Sequence, residues 1–182
     1  MSLRHCLQRS RPLPAFVAFA LLGASIHPGA LLAPNVVPIS SRIVTSGQPT
    51  AASLKALSSE GFGAVIYLAP PGVPDAVPGE AEIVRRQGIT FINIPVPFAN
   101  PTAADFRAFV SAMNRLSDQK VLVHCQVNMR ASSMMFLYRV IAQSEKPEEA
   151  YESVAKVWSP DGPWMALIVA ELRKAGVAFD PY

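Results

Sequence analysis

The sequence predicts a single α/β domain, a three-layer arrangement with a mostly parallel central sheet and helices on both faces. Three observations predict it. Short, continuously apolar runs (Ala64–Leu68, Val121–Val123) have the length and composition of strands covered on both sides, and Ile89–Ile94 alternates as a strand does. Segments with helical apolar spacing alternate with those runs, which implies crossover connections and parallel pairing. The length of 182 residues supports one sizeable core.

Residues 1–33 read as an export signal or N-terminal anchor, with the folded domain in 34–182. Arg4, Arg9 and Arg11 make a basic start, Ala15–Leu22 an apolar centre, and small residues follow at Gly23, Ser25, Gly29 and Ala30. The apolar run is short for a membrane span. The expectation is a periplasmic or secreted domain, or one held at the membrane if this segment is retained.

Residues 34–39 (PNVVPI) read as a proline-bearing linker, and 42–45 (RIVT) as a short edge strand. Thr50 caps a helix to about Ser59, with Leu54 and Leu57 inward and Gly61 beyond its end. Ala64–Leu68 is the first buried strand. Residues 70–79 hold four prolines and two glycines, which makes them a loop at a strand's C-terminal end, where α/β proteins place function. A short helix over 80–87 stops at Gly88, and 89–94 forms the next strand.

Residues 95–101 (PVPFANP) form a second proline-rich loop. Thr102 and Asp105 make a capping-box pair opening a helix to about Leu116, whose stripe is Phe106, Phe109, Val110, Met113 and Leu116. After the strand over 120–124, a helix from Arg130 to about Gln143 is apolar on nearly all sides and belongs at the centre. Pro147, Glu148 and Glu149 start another helix. A final one runs from Trp164 to Ala175, closed by Gly176.

The stretch 120–133 (KVLVHCQVNMRASS) carries the chemistry. A strand that turns tightly into a helix N-terminus gathers free amide groups and the positive end of the helix dipole, a ready anion site. A thiol at the strand's end shares that field, which favours the thiolate. Arg130 adds a planar, permanently charged fork suited to two oxygens of an oxyanion. A strand-end cysteine can also be plain core filling, but core filling has no use for Asn128 and Arg130 in the adjoining turn. Cys6 lies in the leader, so the mature domain carries Cys125 alone, and no internal disulfide is available to it.

Net charge excludes one function class. The formal +3 comes from 16 basic and 13 acidic residues, and the leader's three arginines account for all of it. The pI near 9.1 therefore gives no case for nucleic-acid binding.

Residues 45–50 (TSGQPT), 65–71 (VIYLAPP), Ile94–Val96 with Pro101-Thr102, and above all 123–132 (VHCQVNMRAS) resemble a bacterial group of cysteine-dependent tyrosine/dual-specificity phosphatases, related to the phosphatase-like part of beta-lactamase hydrolase-like proteins. The likeness spans most of 40–175. It implies a dual-specificity-phosphatase-like fold and hydrolysis of phosphate monoesters through a phosphocysteine, with no metal or cofactor. By this resemblance Cys125 is the nucleophile, and Arg130 binds the phosphoryl oxygens. His124 supports the thiolate from behind, and with Gln126, Val127, Asn128, Met129 and Ser132 it forms the substrate-binding loop. Ser132 stands ready to hydrogen-bond the sulfur. The partner implied is a phosphorylated substrate of unspecified kind.

The chain departs from the superfamily pattern in three places. Four residues separate Cys125 from Arg130 where five are usual, Asn128 stands where glycine is common, and Ala131 takes the place of a hydroxyl residue. The superfamily's acid is an aspartate on a loop after an earlier strand, but residues 95–101 hold no carboxylate. Asp105 is the nearest and is assigned that role, against its capping function. Asp75 and Glu80 on the proline-rich loop, and Asp161, are outlying candidates for the same role. Two other functions fit a lone loop cysteine: a rhodanese-like sulfurtransferase, and a pseudophosphatase that binds an anionic partner without turnover.

Overall fold

The computed structural model describes residues 31–181. The expected leader therefore lies outside the described residues, except for 31–33. Leu31 packs against the core, and the Leu32 amide donates to Ser53 Oγ at 2.9 Å.

A five-stranded sheet runs in the order β1-β2-β5-β3-β4. Its strands are β1 (Val37–Pro38), β2 (Ile43–Ser46), β3 (Ala64–Tyr67), β4 (Thr90–Asn93) and β5 (Val121–His124). β2, β5, β3 and β4 pair in parallel, with Thr45 and Ile66 flanking Val123 in register. β1 pairs antiparallel with β2, Val37 facing Thr45. Residues 34–39 are thus more than a linker, and β2 is an interior strand rather than an edge. A two-residue strand carries no periodicity to detect. Pro38, which cannot donate to a ladder, suits the exposed edge it occupies.

Strand alternation sorts the core into two layers. Val65 and Leu122 face one side, joining Leu54 and Leu57 near α1 (Ala51–Ala56) and Val84 of α2 (Glu80–Arg85). Ile66, Val121 and Val123 face the other, against α3 (Ala103–Arg115), α4 (Met129–Leu137), α5 (Pro147–Ala155) and α6 (Gly162–Lys174). Helices therefore cover both faces. Residues 130–137 of α4 are all buried, as its all-round apolar sequence requires, and α4 contacts β2, β5, α5 and α6. Each fully buried Leu or Phe there contributes about 1.5–3 kcal/mol. The helix expected to run to Gln143 changes winding at Tyr138–Ala142, a π-helical turn. That turn sends Arg139 to Glu145 and to the α5 groups Ala150 O and Ser153 Oγ.

The capping box at α3 is complete. Asp105 N donates to Thr102 Oγ1 (3.2 Å), while Asp105 Oδ2 accepts from Thr102 N (2.8 Å) and Thr102 Oγ1 (2.7 Å). Replacement of Asp105 by Ala is expected to lower stability by about 1 kcal/mol, read as a reduced urea midpoint at unchanged slope.

Candidate active site

β5 delivers His124 and Cys125 to the sheet's C-terminal end, where the chain must reverse into α4. Asn128 makes that reversal in a left-handed conformation (φ 71°, ψ −1°). Such a residue costs least when it is Gly, Asn or Asp. The first helical bond of α4 runs from Ser132 N to Asn128 O at 2.9 Å. The amides of Met129, Arg130 and Ala131 consequently precede the ladder and have no intrahelical acceptor.

The loop is clamped by 34–48, a segment whose role the sequence did not reveal. Asn128 Nδ2 donates to Asn35 O (2.6 Å) and Thr45 Oγ1 (3.1 Å), and Asn35 Nδ2 donates to Val127 O (3.0 Å). Gln48 N donates to Gln126 O (2.9 Å), and Cys125 N to Ser46 O (3.3 Å). Gly47 lies against this loop so closely that a Cβ would sit 2.7 Å from Gln126 O. The glycine of TSGQPT is a close-approach position. The Pro-Asn pair at 34–35 was the one available signal, since it marks a turn.

Arg130 is 5% exposed. Its Nε donates to Val96 O (2.9 Å), its Nη1 to Gln126 Oε1 (3.4 Å), and its guanidinium lies 5.0 Å from the centre of the Phe98 ring. Among the described residues no carboxylate forms an ion pair with it. A buried cation with only neutral partners is costly. Phe98, which turns to Trp158 and Trp164, walls one side.

Cys125 is a free, fully buried thiol at the rim of the core. Behind it lies a buried polar group. His124, fully buried, stacks on Tyr67 at 4.8 Å, and its Nε2 lies 2.7 Å from Glu80 Oε1, close but not aligned for a hydrogen bond. Gln48 Nε2 donates to Glu80 Oε2 at 2.7 Å. His124 thus faces Glu80 and Tyr67 at the back of the loop rather than the loop's open side. The Tyr67 hydroxyl is buried without a hydrogen-bond partner among the described residues. Burial, then the charges of Glu80, Cys125 and Asp75, push its pKa up to about 12, with Arg130 opposing.

The remaining expected residues fall as follows. Gln126 Nε2 donates to Asp75 Oδ2 at 3.2 Å, which ties the proline-rich 70–79 loop to the cysteine loop. Val127 is exposed and Met129 half-buried. Ser132 Oγ donates to Met129 O (3.2 Å), so it is spent on the helix's first turn rather than on the sulfur. Asp105 is held in the capping box through Oδ2, which is helix-end work. The carboxylate the fold brings to the loop is Asp75, one of the outlying candidates, across 50 intervening residues.

A strand-end cysteine, an amide-rich turn and a buried arginine sit on a three-layer sheet of the dual-specificity-phosphatase-like class of fold. Residues 37–162 match the family described as DSP-PTPase phosphatase fused to NAD+ kinase, and the chain belongs to that family. It is 32% identical over 118 residues to a beta-lactamase hydrolase-like protein of Xylella fastidiosa (strain Temecula1), covering 63% of this chain and 27% of that protein. The similar protein of Agrobacterium fabrum (strain C58) is 33% identical over 106 residues, covering 57% and 24%. The chain thus spans about a quarter of these relatives' length. Among solved structures, a DUF442 protein of Shewanella putrefaciens CN-32, described as a candidate phosphatase, superposes with a TM-score of 0.72 at 29% identity, covering 78% of this chain and 91% of that one. The active form of Tk-PTP shares the fold (TM-score 0.63, 19% identity, 78% and 97% covered).

Two outcomes follow from this geometry. Asn128→Gly keeps the turn but loses two side-chain bonds, at a cost of about 1–3 kcal/mol in urea unfolding. Asn128→Ala is expected to cost about 1 kcal/mol more, through the left-handed backbone. Tyr67 titrates near 10 when unfolded and at about 12 here. The folded state therefore holds this proton longer; the stability it lends is complete below pH 10 and is lost as pH rises toward 12. Tyr67→Phe is expected to flatten the fall in stability between about pH 10 and 12, measured by urea unfolding at each pH.

Proposed function

We propose that this domain hydrolyses phosphate monoesters by nucleophilic catalysis at Cys125. The observation that carries the reading is Arg130: a buried guanidinium without a carboxylate partner among the described residues, at the head of a helix whose first amides lack intrahelical acceptors, five positions after the one thiol the described residues hold. The phosphoryl group would supply the missing negative charge. Arg130 and the loop amides would hold its equatorial oxygens while the sulfur attacks phosphorus, forming an S–P bond as the ester oxygen departs. Water would then cleave the S–P bond and release phosphate. Glu80 and His124, behind the loop, support the cysteine's end of β5. The leader-like composition of 1–33 supports placing this activity outside the cytoplasm.

A second reading, anion binding without turnover, is favoured by the full burial of the thiol and by a 95–101 loop with no carboxylate. One experiment separates the two. Wild type is expected to hydrolyse p-nitrophenyl phosphate, Cys125→Ser to abolish turnover, and Arg130→Lys to lower kcat/KM by about 10²-fold or more. Binding of vanadate or phosphate with no hydrolysis by wild type would establish the second reading. Sulfur transfer from thiosulfate to cyanide without phosphatase activity would overturn both.

A further inference from the structure

An alkoxide leaves phosphorus slowly unless a proton reaches it. On one flank of Arg130 the protein offers none, since the guanidinium there meets the Val96 carbonyl and the Phe98 ring, and residues 95–101 carry no ionisable side chain. The other flank differs. The Gln126 carboxamide accepts from Arg130 Nη1 through Oε1 (3.4 Å) and donates to Asp75 Oδ2 through Nε2 (3.2 Å). A planar amide holds its oxygen and nitrogen about as far apart as two oxygens of one phosphoryl group. The carboxamide therefore spans the interval a phosphate ester would bridge, with one oxygen on the guanidinium and the ester oxygen at the carboxyl.

We propose that Asp75, reaching from the 70–79 loop, is the proton donor to the leaving group, an inference that rests on the phosphatase reading above. The protonated carboxyl gives its hydrogen to the ester oxygen as the P–O bond breaks and the S–P bond forms, so a neutral alcohol departs. The resulting carboxylate then takes a proton from the water that attacks phosphorus, and the S–P bond breaks to return the thiolate. Two further observations agree. The charge of Asp75 acts on the Tyr67 phenol together with those of Cys125 and Arg130, which places the carboxylate in the same neighbourhood as both. Two rival acids are committed elsewhere: Asp105 caps α3, and buried Glu80 is held by Gln48 and faces His124. The third, Asp161 at the start of α6, makes no hydrogen bond to Gln126 or Arg130 among the described residues. Asp75 itself is exposed, and Gln126 is the group its Oδ2 meets.

The test compares wild type, Asp75→Asn and Cys125→Ser on a series of phosphate monoesters running from p-nitrophenyl to phenyl to simple alkyl. Asp75→Asn is expected to lose about 10²–10⁴-fold in kcat on alkyl esters but less than about tenfold on p-nitrophenyl phosphate, so its rates depend far more steeply on leaving-group pKa. KM and the thermal midpoint are expected to stay near wild type. A uniform loss across the series, or none, overturns the assignment while the inactivity of Cys125→Ser leaves the phosphatase reading standing. A wild type that hydrolyses no member overturns both.

Discussion

The structure depends on a reversal of direction within four residues. β5 ends in the interior of a parallel sheet, and α4 must start almost at once to bury its apolar face. Asn128 in left-handed geometry makes the reversal, and the bonds from its side chain to Asn35 and Thr45 hold it. Everything chemical is a consequence. The turn places the first amides of α4 and Arg130 directly after Cys125 in the chain, with the guanidinium on Val96 O and Gln126 Oε1. A rigid turn of this kind preorganises charge stabilisation, because no dipole has to be ordered when an anion arrives.

The price of that arrangement is a cation in a poorly solvated place. Arg130 is offset by a carbonyl, an amide oxygen and an aromatic face, none of which neutralises it. Two features behind the loop are similarly unsatisfied: the Tyr67 hydroxyl lacks a partner, and both ring nitrogens of His124 lack an aligned hydrogen bond. Stability alone would favour apolar replacements at such positions. Their concentration around one cysteine distinguishes this corner from the well-packed interior beneath it, and it agrees with the phosphatase family to which the chain belongs.

Much of this was legible in the sequence where local rules decide the outcome. The continuous apolar runs became β3 and β5, buried on both faces, and Thr102 with Asp105 became a complete capping box. The cysteine loop was visible because its residues are contiguous. What escaped were contacts between distant segments. Asn35 clamps Val127 and Asn128 from 92 and 93 positions away, and Asp75 meets Gln126 across 51. No periodicity encodes such pairs. β1 was missed because two residues are too few to alternate, and Ser132 was misplaced because its hydroxyl had a nearer acceptor in Met129 O.

The π-helical turn at Tyr138–Ala142 has a consequence for how the chain tolerates change. A wide turn is equivalent to one surplus residue taken up within a helix. It sits downstream of the buried span 130–137, so the surplus is absorbed where α4 meets α5 instead of being passed back toward Cys125. Insertions or deletions in the 143–146 connection can therefore be accommodated by rewinding this turn, and the phase of the helix at its opening end is insulated from them.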